Sequence, residues 1–299
     1  MARILSYGSL NLDCVYHVPH FVTPGETLSS TVRELNCGGK GLNQSIAAAR
    51  AGGTVFHAGK IGRDGTLLVD ALQDSGVDTS LVSVSNGANG HAIIQVDSTG
   101  QNCIILHGGS NQEITCDEVD RALEQFGTGD YLILQNEINC LDYIMEQAAK
   151  KGLSIVFNPS PISDGIGDLP LHHASLLIFN EVEGAALAGC SDEDQILNIL
   201  RERWPNCLLL LTLGSHGCIY DNGSRRIRKS AYRTNAVDTT AAGDTFTGYF
   251  VACLSAGMSE EECLDLASRA AAIAVSRSGA ASSIPVMDEV RRVHLVLAE

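Results

Sequence analysis

Residues Asp238 to Phe246 read Asp-Thr-Thr-Ala-Ala-Gly-Asp-Thr-Phe, with one carboxylate just behind a turn of small residues. From there Phe246, Tyr249, Phe250, Cys253 and Leu254 recur at the spacing of one buried helical face, which predicts a helix beginning near Gly243. The first N–H groups of a helix have no partner inside it and sit at the positive end of its dipole. The Ala241-Ala242-Gly243 turn is therefore suited to hold phosphate oxygens. Asp244 would stand within reach of a hydroxyl attacking that phosphate, where a carboxylate orients the nucleophile and accepts its proton. The competing reading is an acidic residue that only complements a helix dipole.

Five further constellations carry polar groups at useful spacing. Gly8-Ser9-Leu10-Asn11-Leu12-Asp13 is read as closing the first strand, with Asn11 and Asp13 on one side, an amide and a carboxylate suited to vicinal hydroxyls or to an ordinary turn. Asn36-Cys37-Gly38-Gly39-Lys40-Gly41-Leu42-Asn43-Gln44 brings backbone close to a ligand, with Lys40 for charge and Asn43 for hydrogen bonds. It lacks the Gly-x-x-x-x-Gly-Lys-Ser/Thr spacing of a P-loop and the third glycine of a dinucleotide fingerprint. Asn180-Glu181-Val182-Glu183 and Thr212-Leu213-Gly214-Ser215-His216-Gly217 each follow an apolar run, at strand ends where nucleotide phosphates and Mg²⁺ are met or helices are capped. Ser276 to Ser283 ends a long helix in small residues whose carbonyls could ligate a cation, or simply stop the helix.

The elements that must position these groups alternate along the chain. Strands are predicted at Ile4 to Leu10, Val55 to Ile61, Tyr131 to Gln135, Leu153 to Phe157, Ser175 to Phe179 and Leu208 to Leu213. Helices are predicted at Leu42 to Ala51, Thr66 to Ser75, Leu141 to Lys151, Asp192 to Arg203, Gly243 to Ala256 and Glu260 to Ser276. Such alternation implies an α/β fold, a mainly parallel sheet covered by helices on both faces, with ligands beyond the carboxyl ends of the strands. Short alternating segments at 14–36 and 91–106 break the rhythm and predict a small antiparallel sheet inserted into one domain spanning 1–299. With one face uncovered, that sheet should act as a lid or pair with a second subunit.

Composition excludes several classes. A formal charge of −15 argues against nucleic acid as a partner. No segment reaches the apolar length of a bilayer span, and the start reads as a strand rather than a signal peptide, so a cytoplasmic protein is expected. The ten cysteines are scattered, without a Cys-x-x-Cys pair, and read as reduced core fillers.

These segments together resemble the ribokinase (PfkB) family of carbohydrate kinases, in order and spacing, over essentially the whole chain. The resemblance rests on Gly38-Gly39-Lys40-Gly41-x-Asn43-Gln44 and on Asp238-Thr239-x-Ala241-Ala242-Gly243-Asp244-Thr245-Phe246. It is reinforced by Asn11-x-Asp13, Pro24-Gly25-Glu26-Thr27, His107-Gly108-Gly109-x-Asn111 and Asn158-Pro159-x-Pro161, which point within the family to the ribokinases. It implies a three-layer α/β/α fold with a lid, a homodimer paired through that lid, and ATP-dependent phosphorylation of the primary hydroxyl of D-ribose. By the same resemblance Asp244 is the base and the amides of Ala241, Ala242 and Gly243 form the anion hole. Asn11, Asp13, Gly39, Lys40, Asn43 and Glu137 would hold the sugar. Asn180, Thr212, Gly214 and Gly217 would line the nucleotide site, with Glu183 organising Mg²⁺. A potassium ion would be held by Asp238 and Thr240, by carbonyls near Ala274, Arg277 and Gly279, and by Ser283. Ser268 aligns where ribokinases tend to carry Asn or His beside the adenine, so no specific base contact is expected there. The alternatives are another sugar or nucleoside kinase of this fold, such as a deoxyribokinase or fructokinase, and a catalytically silent sugar-binding regulator. A dehydrogenase is disfavoured by the missing dinucleotide fingerprint.

Overall fold

Strands that are apolar without alternation can be stable only where both faces of a sheet are covered, and the chain meets that demand. The computed structural model describes residues 2–298. In chain order the elements are β1 (Arg3–Tyr7), β2 (Asn11–His17), β3 (Val32–Gly38), α1 (Lys40–Arg50), β4 (Thr54–Ile61), α2 (Thr66–Asp74), β5 (Asp78–Val84), β6 (Gly90–Val96) and β7 (Asn102–His107). Next come α3 (Cys116–Leu123), β8 (Tyr131–Gln135), α4 (Leu141–Lys150), β9 (Ser154–Asn158), β10 (Leu176–Asn180), α5 (Glu181–Ala188) and α6 (Glu193–Arg203). The last are β11 (Leu208–Thr212), β12 (Cys218–Asp221), β13 (Arg226–Lys229), α7 (Ala242–Ser255), α8 (Glu260–Val275) and α9 (Met287–Arg292).

A nine-stranded sheet runs in the order β13-β12-β11-β10-β9-β8-β1-β4-β5. It is parallel from β5 to β11, and β12 and β13 are antiparallel at one edge. The two-residue period sends Ile4, Ile133, Val156, Ile178 and Leu210 into one core with α1, α7 and α8. It sends Leu5, Leu132, Leu134, Phe157, Phe179 and Leu211 into a second core with α3, α4 and α6. The mainly parallel three-layer α/β/α architecture expected from the alternation is therefore the one formed.

The lid differs from expectation in detail. Its order is β3-β2-β6-β7, and each hairpin is antiparallel, but the two hairpins join through a parallel β2–β6 pair. The first strand also stops sooner than read. It ends at Tyr7, the chain leaves the sheet over Gly8-Ser9-Leu10, and Asn11 and Asp13 stand at the start of the lid strand β2. The reason is polar: the Gly8 amide still donates to the Ala58 carbonyl at 3.0 Å, but the Leu10 amide donates to Asn111 Oδ1 at 3.0 Å instead of to a neighbouring strand. Helices α3, α5 and α9 and strands β5, β12 and β13 go beyond the elements that periodicity predicts. They are short, so their periodicity is brief, and α3 and α5 are instead fixed by capping boxes, Thr115 with Glu118 and Asn180 with Glu183.

Candidate active site

The helix start read near Gly243 falls at Ala242, and the turn before it differs in detail from the reading of three amides, Ala241 to Gly243, open to a ligand. Ala241 adopts φ 59, a left-handed conformation uncommon for a residue with a Cβ and costing roughly 1 kcal/mol. That bend swings the following amides into the cleft. The amides of Gly243 and Asp244 donate to no described acceptor, whereas that of Ala242 turns back to the Thr239 carbonyl at 3.3 Å. A Cβ on Gly243 would meet no protein atom within 4 Å, so this glycine leaves its face open to a ligand.

Asp244 is buried on the third residue of α7, and two amides fix its carboxylate. Asn43 Nδ2 donates to Oδ2 at 3.0 Å and Gln44 Nε2 to Oδ1 at 2.9 Å. Both come from α1, which can approach because a Cβ at Gly248 of α7 would fall 2.5 Å from that of Ala47. Gln44 is itself aimed by Gln135, whose Nε2 donates to Gln44 Oε1 at 2.8 Å. Asn43 spends only its donor. Its Oδ1 is buried without a partner, an acceptor held ready for a ligand hydroxyl.

The glycine turn at the start of α1 is clamped by Glu137. Its Oε2 accepts from the Lys40 amide at 3.0 Å and from the Ser9 hydroxyl, while Ser9 Oγ accepts from the Gly41 amide at 3.2 Å. Gly39 at φ 95 makes the bend that lets this happen. Burial pushes the Glu137 carboxyl up against the opposing pull of Lys40. Burial works to lower the Lys40 ammonium, but Asp244, Glu137 and Glu183 outweigh it and hold Lys40 charged. On the lid, the Asp13 carboxylate accepts no hydrogen bond from any described residue. Its carboxylate lies over Gly38, where a Cβ would come within 2.0 Å of Oδ2. Burial, helped by Glu137, pushes it up to about 7. Asn11 is buried beside it, and its Oδ1 accepts from Asn111 Nδ2 at 2.7 Å.

Two cavities meet at the α7 turn. The smaller, about 210 Å³, is lined by Lys40, Asn158, Asn180, Glu183, Asp244 and the turn itself. The larger, about 390 Å³, runs past Thr212, Gly214, Gly217 and Ser268 to the small side chains of α8. Thr212, Thr239, Ala242 and Gly243 belong to both, so a ligand in the larger cleft can present one end to Asp244. Asn11, Asp13, Gly39 and Asn43 line neither cavity; the first two are on β2 of the lid and the others at the start of α1. Asn180 and Glu183 are a capping box and a cavity wall at once: the Asn180 amide donates to Glu183 Oε2 at 2.9 Å and the Glu183 amide to Asn180 Oδ1 at 2.9 Å. Helix capping and ligand contact are thus compatible uses of that motif. Gly217 has a structural duty as well, because at φ 100 a Cβ there would lie 1.9 Å from the Lys229 carbonyl.

Asp238 ties the α7 turn to the loop after α8. Its carboxylate accepts from the Thr240 amide at 2.9 Å and the Gly279 amide at 3.0 Å, and these bonds keep it below its ordinary range although burial opposes them. The carbonyls of Thr240, Arg277, Gly279 and Ser283 accept no hydrogen bond from any described residue. The Ala274 carbonyl is already taken by the Arg277 amide at 3.1 Å, the Ser283 hydroxyl donates to the Ala280 carbonyl at 2.9 Å, and the Arg277 side chain pairs with Glu289.

With this geometry in view, likeness to known proteins is decisive. A family model described as pfkB family carbohydrate kinase matches residues 1–287. The chain belongs to this family. The ribokinase of Haemophilus influenzae is 35% identical over 293 residues, covering 94% of this chain and 95% of its relative. The ribokinase of Cryptococcus neoformans var. grubii, solved in complex with ADP, is 35% identical with a TM-score of 0.83, over 97% of this chain and 99% of that one. The ribokinase of Arabidopsis thaliana, complexed with ribose and ATP, is 30% identical with a TM-score of 0.87, over 98% of each chain. Four residues of the site lie within the family motifs, yet their types and spacing alone assign them no role. They are Gln44 and Asn158 beside Asp244, Asn111 behind Asn11, and Thr239 in the wall between the cavities. Ser9 and Gln135 carry no signal beyond lying at strand ends.

Proposed function

We propose that this chain transfers the γ-phosphoryl group of ATP to the 5-hydroxyl of D-ribose, giving ribose 5-phosphate and ADP. One observation carries the reading: Asp244 lines the smaller cavity next to the turn that both cavities share, with its carboxylate fixed by Asn43 and Gln44 and its own amide and that of Gly243 donating to no described acceptor. The sugar lies against Asn11, Asp13, Gly39, Asn43 and the turn held by Glu137, with its 5-hydroxyl on Asp244. ATP occupies the larger cleft along Thr212, Gly214, Gly217 and Ser268 and turns its phosphates toward Gly243, Lys40 and Asn180. The sugar oxygen bonds to the γ-phosphorus as the bond to the bridging oxygen breaks, and the hydroxyl proton passes to Asp244. Lys40 and the helix-start amides stabilise the charge that builds on the transferring group. The site works in the cytosol, and no helix among the described residues is long and apolar enough to cross a membrane.

Two ions fit the donors present. Among the described residues no three His, Cys, Asp or Glu side chains form a metal cluster, which suits Mg²⁺ carried in by nucleotide phosphates. Glu183 and Asp244, both on the smaller cavity, would hold its water shell. Bound there, Mg²⁺ supplies charge neutralisation on the phosphates. A large monovalent cation prefers carbonyl oxygens, and the unpartnered carbonyls of Thr240, Arg277, Gly279 and Ser283 lie on the segments that Asp238 joins. Potassium there would brace the α7 turn without touching substrate. It is expected to raise activity several-fold over sodium at matched ionic strength, and equal rates in the two salts would remove the cation from the mechanism.

The lid supports a partner. Val32, Ile104 and Leu106 are exposed on the face of its strands that carries Asp13, and Leu35 and Ile105 on the opposite face, where a second copy of this chain packed on the sheet would cover them.

The sugar itself is tested by competition. If Asp13 accepts from two adjacent ring hydroxyls, loss of one leaves a carboxylate oxygen unpaired at a cost of about 1 to 3 kcal/mol. Ribose is expected to exceed 2-deoxyribose by roughly 10 to 100-fold in kcat/KM, with fructose and adenosine weaker still. A preference for any of the other three would make this a different kinase of the same family.

A further inference from the structure

The larger cleft is edged by a segment that no motif marks. Beyond α9 the chain runs back antiparallel beside residues 231–233. The Arg233 amide donates to the Val296 carbonyl and the Ala298 amide to the Ala231 carbonyl, each at 2.8 Å, with Tyr232 and Leu297 paired between them. Ala231, Arg233, Thr234 and Ala236 line the cleft, and Ala298 joins them at its rim. This added strand is itself anchored. Leu295 packs against the core that α1, α7 and α8 share. Arg269 of α8 donates through Nε to the Val290 carbonyl at 3.0 Å and through Nη2 to the Val293 carbonyl, and its guanidinium lies 5.4 Å from the centre of the Tyr232 ring. Tyr232 in turn donates its hydroxyl to Asp265 at 2.5 Å.

We propose that residues 294–298 form a strap that holds 231–236 as the outer wall of the cleft and thereby sets affinity for the nucleotide base; the proposal rests on the larger cleft being the nucleotide site. Phosphates belong at Ala242 and Gly243, so the base falls to the remaining lining, Ala271, Ala272 and Val275 on one side and Ala231 to Ala236 on the other. Alanines and Val275 make this a largely apolar slot, edged by Tyr232, Arg233 and Thr234, and such a slot binds a planar ring only while both walls keep their spacing. The α8 wall is helical and packed into the core. The 231–236 wall is irregular chain, and among the described residues its backbone is held over 231–233 by the strap.

The test is ADP binding by calorimetry, together with KM for ATP and for ribose. A chain ending at Val293 is expected to bind ADP about tenfold more weakly and to raise KM for ATP equally, with kcat and the ribose KM within about twofold of the unaltered chain. Ala298→Pro removes the amide that donates to the Ala231 carbonyl and fixes the backbone at the end of the pairing, and at least about a threefold weakening is expected. It decides the matter if the shortened chain does not fold. Leu297→Ala, at an exposed side chain, should change nothing. ADP binding unchanged in Ala298→Pro and in the shortened chain overturns the strap while leaving the nucleotide site standing, and so does a ribose KM that rises as much as that of ATP. An unaltered chain that binds no ADP overturns the nucleotide site and the strap with it.

Discussion

Asp244→Asn is expected to lower kcat by at least about 10² to 10⁴, the usual contribution of a positioned general base, or about 3 to 5 kcal/mol of transition-state stabilisation. The variant should nevertheless fold. Asp244 receives donors from both Asn43 and Gln44, so an amide at this position turns one donor against another. Gln44 cannot reverse, because its Oε1 accepts from Gln135, but Asn43 Oδ1 has no partner and can rotate to accept the new N–H. That rotation withdraws the acceptor proposed for the sugar, so KM for ribose should rise a few-fold while ADP affinity stays unchanged. Steady-state kinetics with a thermal melt separates these effects. A folded variant that keeps more than about a tenth of the parent kcat would remove Asp244 from the role of base.

The second large effect is a dependence of ribose capture on pH. Burial and the neighbouring Glu137 push Asp13 from 3.8 up to about 7, and no described donor satisfies it. In the sugar-free protein the carboxyl is therefore half-protonated near neutrality. The folded chain holds this proton more tightly than the unfolded one, so the stability it lends is present below about 4 and lost as pH rises through about 7. Bound sugar reverses the preference, because two ring hydroxyls donating to Asp13 favour the ionised form. The profile of kcat/KM for ribose should then fall about tenfold per pH unit below about 7, while kcat at saturating sugar stays flatter through this range. Asp13→Asn should abolish this limb and raise the ribose KM by about 10². A limb that survives in Asp13→Asn would assign the titration to another group.

Several things about this protein were legible in its residues alone. Unbroken apolar runs at β8 and β11 require a sheet covered on both sides, and the spacing from Phe246 to Leu254 places a helix start at the α7 turn, because periodicity reports which faces must leave water. Helix start and carboxylate together make Asp244 a candidate base, since both features are local to nine residues. Local chain also encodes the capping box of Asn180 and Glu183, though not that the box would line a cavity.

Tertiary structure decided what depends on distant segments meeting. The amide that aims Asp244 comes from Gln44, 200 residues away, and no spacing can announce a contact between helices whose approach depends on Gly248 lying against Ala47. Asn11 and Asp13 belong to the lid rather than to β1 because Asn111, 101 positions along the chain, takes the Leu10 amide and Asn11 and Asp13 pair with β3 and β6 instead. The raised carboxyl of Asp13 needs both burial and Glu137, which lies 124 positions away in the sequence. The strap at 294–298 has no motif, since backbone pairing uses groups that every residue carries. Residue type and period fix which surfaces must be buried and which groups can react, whereas packing across long loops fixes which of those groups stand together and at what charge.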